Sequence, residues 1–182
     1  MDLLDMINSR RFLGSEFLMW LWFKVDCLDG LMEVKDHGQV EVVFDDALTL
    51  EAYMAETERQ DFKGGAPAYT EEAKTGLRHG KRASKAKLRV IKEAREWTFT
   101  LKAENLEIAS AKLPAVLSRE DDERFYERMY LLEELEGIME RLFEEFLRLR
   151  LQPVWDEKML PGIQAWIQSK ELAKPGDYPD LG

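Results

Sequence analysis

Cysteine is nearly absent. Cys27 stands alone among 182 residues, so no internal disulfide can form, and neither a cysteine-built zinc site nor a Cys/His nucleophile has its ligands. Histidine is almost as scarce, with His37 and His79 falling in separate predicted loops. Positive charge is also short: 36 acidic side chains face 26 basic ones, a formal net charge of -10, which argues against an all-over affinity for nucleic acid or anionic membranes. The apolar run Phe17 to Phe23 is far shorter than the roughly 20 residues of a membrane span. The opening Met1-Asp2-Leu3-Leu4-Asp5 is acidic where a secretory signal is positive, so a cytoplasmic location is the expectation, and a lone thiol suits a reducing compartment.

What is present is apolar and aromatic. Hydrophobic residues make up 45% of the chain, and a chain of this length buries roughly 70% of the surface it exposes when unfolded. Gly14-Ser15-Glu16 reads as a helix start with Ser15 as N-cap, leading into a helix to about Lys24 that is apolar on every face and must be covered on most sides. Extended segments follow at Gly30 to Lys35, Gln39 to Phe44 and Leu48 to Met54, with Asp36-His37-Gly38 and Asp45-Asp46 as turns. Pro67 opens a short helix to about Leu77. Ser84 to Ile91 and Trp97 to Leu101 alternate as a hairpin joined through Glu93-Ala94-Arg95, and Leu106 to Leu113 adds a strand.

From Ser118 the period changes. Ser118 and Asp121 resemble a capping pair, and Phe125, Met129, Leu132, Leu135, Met139, Leu142, Phe146 and Leu149 recur at steps of three and four, predicting a helix of about 30 residues ending before Pro153. A shorter helix follows from Val154 to about Leu172. The expected architecture is α+β: a small, mostly antiparallel sheet packed with the aromatic N-terminal helix and a long amphipathic C-terminal helix. Residues 1–117 form the sheet domain, 118–173 a helical arm packing on it, and 174–182 a frayed tail.

The strongest anomaly of composition lies between Lys74 and Lys102, where ten basic residues meet only Glu93 and Glu96, a local charge of +8 that leaves -18 for the rest. Lys85, Lys87 and Arg89 alternate along one predicted strand, so they project from one face while Ala86, Leu88 and Val90 pack inward. That basic stripe is a candidate phosphate track, with Arg78, Lys81 and Arg82 extending it from the preceding loop. The competing expectation is a solvated strand face, or a stripe neutralised by the chain's own acids. Trp97 and Phe99 fall on the opposite side of their strand, which argues against a base-stacking platform.

Catalytic signatures fail on spacing. Gly76 to Arg82 has three residues between its glycines, follows a helix and lacks the hydroxyl of a phosphate-binding loop. Glu33-Val34-Lys35 with Asp45 or Asp46 is the one foothold for a metal-dependent nuclease, in a tripeptide common by chance. The glutamates of the long helix have no histidine beside them and read as a solvated face. No catalytic residue, metal ligand or cofactor is expected. The alternative to nucleic-acid contact is a protein-interaction module, or a homodimer, built on the long helix, with Leu135 and Leu142 as interface positions.

Phe12-Leu13-Gly14-Ser15-Glu16-Phe17-Leu18-Met19-Trp20-Leu21-Trp22-Phe23 resembles a segment, FLG-x-EFL-x-WLW, of extended bacterial members of the RdgC family of recombination-associated, DNA-binding proteins. Lys85 to Arg89, Trp97 to Ala103 and Lys112-Leu113-Pro114 are similar too, so the likeness runs from about Phe12 to Leu151 and covers an additional C-terminal region of those members. It implies a cytoplasmic or nucleoid protein that binds duplex DNA without strong sequence preference, or works beside an RdgC-like protein, with no reaction and no cofactor.

Overall fold

The computed structural model describes residues 3–52, 58–171 and 173–180, with side chains from residue 13 onward. The first helix, α1, spans Leu3–Cys27 and is followed by strands β1 (Leu31–Val34), β2 (Gly38–Glu51) and β3 (Arg59–Lys63). A 3-10 turn at Pro67–Tyr69 leads into α2 (Glu71–Arg78), then β4 (Arg82–Lys92), β5 (Arg95–Lys102) and β6 (Glu107–Lys112). The long helix α3 covers Asp121–Arg150, and a π turn at Trp155–Met159 runs into α4, Leu160–Gln168. The α+β class is as expected.

All strand pairings are antiparallel, in the order β1-β2-β4-β5-β6, with β3 also pairing β2. The alternation in β4 does its predicted work: Ala86, Leu88 and Val90 are completely buried, so Lys85, Lys87 and Arg89 share the opposite, open face. Asp45-Asp46 is not a turn. It sits in a bulge of β2 where Asp45, Asp46 and Ala47 stand opposite the single residue Lys87, between the pairs Phe44–Leu88 and Leu48–Ala86. The predicted third strand ends at Glu51, and its last positions, Tyr53 and Met54, lie outside the described residues.

The inner face of the sheet packs on α1, which no other amphipathic logic could place. None of the seven residues Phe17 to Phe23 is more than 4% exposed, because neighbours close around the whole circumference. The sheet takes one side, with Trp22 against Phe44 of β2 at 5.7 Å between rings. α3 takes another, with Phe17 and Trp20 against Phe146. α4 and the C-terminal segment complete the sheath, with Trp166 edge-on to Trp22 and Tyr178 against Phe23. Lys24 is buried in this sheath, and Glu145 of α3 holds its ammonium at 2.6 Å.

Three local expectations are corrected by this packing. Ser15 is not an N-cap: the helix already runs from Leu3, and the Ser15 hydroxyl donates instead to the Ala83 carbonyl of β4 at 3.0 Å. Ser118 does not cap α3. Glu120 occupies that position, while the Glu127 carboxylate accepts the backbone N–H groups of Leu117 and Ser118, each at 2.9 Å. The described tail is docked, not frayed: Tyr178 stacks on Phe23, and Lys158 donates to the Asp180 carbonyl at 2.8 Å. One hydrophobic cluster includes residues of α1, the sheet, α3 and α4, so the two C-terminal helices pack into the same core as the sheet.

Gly14 marks the tightest joint. A Cβ there would lie 1.9 Å from the Ala103 carbonyl oxygen at the end of β5, a backbone atom that cannot swing aside. The glycine of the Phe12 to Phe23 run thus lets α1 touch the sheet. Gly14→Ala should lower stability by about 1–3 kcal/mol, read as a fall of several degrees in Tm. Gly176→Ala, where a Cβ meets nothing within 4 Å, should stay within about 0.5 kcal/mol of wild type. Equal melting of the two variants would contradict the close approach.

Candidate functional site

The structure disperses the basic segment between Lys74 and Lys102. Lys87, at the centre of the stripe, is held by Asp46 at 2.8 Å and Asp45 at 3.3 Å across the β2 bulge. Its hydrogen bond to Asp46 raises the lysine pKa and lowers that of the carboxylate. Arg89 lies 3.9 Å from Glu96. Lys85 is exposed and has no ion-pair partner among the described residues.

The three loop cations do not extend the stripe. Arg78 faces the helices, where it donates to the carbonyls of Ile167 at 3.1 Å and Ser169 at 3.0 Å, closing the C-terminus of α4, and also bonds Glu71. Lys81 is 7% exposed with Glu58 at 3.4 Å. Arg82 lines a cleft beside α1 and α4.

The remaining cations of the segment are spent on packing. Lys92 at 2.8 Å and Arg95 bind the two oxygens of Glu134, which is buried on α3. The Trp97 indole N–H donates to the Leu131 carbonyl at 2.9 Å beside them. Together these bonds fasten the β4–β5 hairpin to α3. Lys74 sits 3.3 Å from the centre of the Trp166 ring and 3.8 Å from Asp26, joining α1, α2 and α4. Lys102 is bound by Glu107 at 3.0 Å. The local charge of +8 therefore does not persist as a free basic surface.

The acidic and thiol candidates are equally committed. Asp45 and Asp46, the partners considered for Glu33, hold Lys87 instead. Cys27 is buried, and burial first, then the neighbouring Asp26 and Asp177 carboxylates, push its thiol pKa up to about 12, far from a nucleophile's range. Among the described residues, no group of three or more His, Cys, Asp or Glu is placed to hold a metal ion. Among the described residues no helix is long and apolar enough to cross a membrane.

Leu135 and Leu142 also belong elsewhere. Both are completely buried in this chain's core, so a charged substitution there would unfold the protein instead of releasing a partner. The apolar period that continues through α3 changes its role partway. From Leu131 onward it is covered, but Phe125, Tyr126, Met129 and Tyr130 are 60%, 70%, 41% and 57% exposed. They share one side of the first turns, and Phe125 meets Tyr126 edge-on at 5.7 Å. Leu117, in the incoming segment whose N–H bonds Glu127, is also exposed.

This patch is held in place. The two backbone N–H bonds to Glu127 tie the incoming chain at Leu117 and Ser118 to α3. The Ser118 hydroxyl and these amides hold the Glu127 carboxyl below its ordinary pKa. The helix opens with Asp121, Asp122 and Glu123 after Glu120, and Arg124, 3.7 Å from Asp121, and Arg128 stand among the rings, so the aromatic surface is acidic at its N-terminal end and of mixed charge along its sides. The sequence period carried a signal for these residues, but core and surface members of one seam look alike without the partner elements. No protein-family model matches this chain, and a search of curated proteins found no match.

The Lys74 junction makes a pH-dependent prediction. Burial lowers the Lys74 pKa to about 8, opposed by the attraction of Asp26, whereas an unfolded lysine titrates near 10.4. Between those values the unfolded state binds more protons, so this group's contribution to stability rises with pH across about 8 to 10.5 and is at its minimum below that window. The difference in urea-unfolding free energy, wild type minus Lys74→Met, should increase over that range. A flat difference curve would contradict the buried ammonium.

Proposed function

We propose that this chain is a non-catalytic accessory module that works with RdgC-type recombination proteins, and that its contact is a protein contact made by the first turns of α3. The observation that carries this reading is the exposed set Phe125, Tyr126, Met129 and Tyr130 on a backbone that Glu127 ties down, with acidic residues at its N-terminal end. Aromatic and methionine side chains are favoured at interface centres, and ordering before binding reduces the entropy cost of association. The acids Glu120 to Glu123 at one end of the patch favour a partner with an apolar centre and basic groups facing that end. The resemblance centred on Phe12 to Phe23 supplies the family of that partner. Phe17 to Phe23 of that run serve this chain's core, so the surface that acts lies elsewhere.

Direct DNA contact by the open sheet face is the second reading. Lys85, exposed and unpaired among the described residues, favours it, with Lys87 and Arg89 in the same row. The carboxylates beside Lys87 and Arg89 weaken it, because phosphates would have to displace Asp46, Asp45 and Glu96.

Biolayer interferometry with a purified RdgC-family protein separates the two. Binding should fall at least tenfold in the Phe125→Ser, Tyr130→Ser double variant, about 1.4 kcal/mol or more. It should survive replacement of Lys85, Lys87 and Arg89 by Ala. No binding, or binding that ignores the aromatic pair, would overturn the proposal. Salt-sensitive binding to duplex DNA that is lost in the triple-Ala variant would establish the second reading, and light scattering that finds a dimer broken by the aromatic variant would make a second copy the occupant.

A further inference from the structure

The structure assigns a small-molecule site for an aliphatic monocarboxylate to the cleft between α1, the start of β4 and α4. The cleft has a volume of about 290 Å³, near the lower end of the ~300–1,000 Å³ range of ligand pockets. At ~30 Å³ for each water-sized group it holds roughly ten heavy atoms. Its apolar lining comes from Met19 of α1, Trp155 of the π turn, and Ile163 and Ile167 of α4, each of them buried.

The polar groups at this cleft differ in what they have left to give. The Ser15 hydroxyl is already used on the Ala83 carbonyl. Glu16 is neutralised by Arg150, whose Nε donates to it at 2.8 Å. Arg82 is different. One of its terminal nitrogens donates to the Lys81 carbonyl at 2.9 Å, and no carboxylate among the described residues pairs with the guanidinium, which carries five donors in all. One unspent cation beside an apolar cavity complements one carboxylate on an apolar chain. A phosphate of charge near -2 would find no second free cation among the described residues of the lining, and a neutral hydrocarbon would make no use of the arginine.

Octanoate, with ten heavy atoms, is the matching probe. A site of this size predicts a Kd on the order of 0.1–1 mM, read by calorimetry and by the fluorescence of Trp155 in the lining. Arg82→Met should weaken octanoate at least tenfold and leave binding of octanol, the uncharged analogue, unchanged. Leu160→Trp, at the rim, should abolish both. Arg82→Gln carries the same expectation should Arg82→Met fail to fold. Three results would each overturn the assignment: no octanoate binding up to about 10 mM, equal octanoate affinity in wild type and the Arg82 variant, or octanoate and octanol weakened alike. The site is independent of the α3 surface, so it stands or falls separately from the proposed partner.

Discussion

A helix that is apolar on every face has no side to give to water, and the Phe17 to Phe23 portion of α1 imposes that condition on everything around it. Its burial requires a sheet, a long helix, a short helix and a docked tail at once. The hydrophobic effect supplies the force, but specificity comes from the few polar joints that set the angles. These are Ser15 on Ala83, Lys24 on Glu145, and the Trp166 indole on Asp26. Breaking a buried pair such as Lys24–Glu145 by removing one partner leaves an uncompensated charge, so each joint also penalises alternative packings.

The same economy explains the charge distribution. A basic segment in an acidic chain looks like a binding surface when only the sequence is in view. In the fold, Glu134 draws Lys92 and Arg95 onto α3, the β2 bulge folds Asp45 and Asp46 over Lys87, and Arg78 closes α4. The cations bind elements together where hydrophobic contact alone would leave their relative placement loose. The start of α3 keeps a cluster of exposed aromatic residues, and among the described residues Arg82 stands at a cleft with no carboxylate partner.

Strand alternation and helical period were readable directly. Ala86, Leu88 and Val90 against Lys85, Lys87 and Arg89 determined which side of β4 faces inward, and the three-and-four steps predicted a helix of the length α3 has. Contacts distant in sequence were not readable. Ser15 has the chemistry of a cap, and only the presence of Ala83 decides that its hydroxyl goes to a strand. Asp45-Asp46 has the composition of a turn, but the pairing of β2 with β4 on either side turns it into a bulge. Leu135 and Phe125 are equivalent by period, and only the reach of the sheet and α1 along α3 divides them into core and surface. Residue type and spacing restrict local geometry, whereas a site depends on which partner arrives from elsewhere in the chain.

Native-state hydrogen exchange tests most directly the claim that α1 organises the fold. Amides of residues 17–25 should exchange only through global unfolding, with the same free energy and denaturant dependence as the buried amides of β4. Release of α1 by a smaller, separate opening while β4 stays protected would contradict the account, because the sheet would then hold its structure without the helix it surrounds.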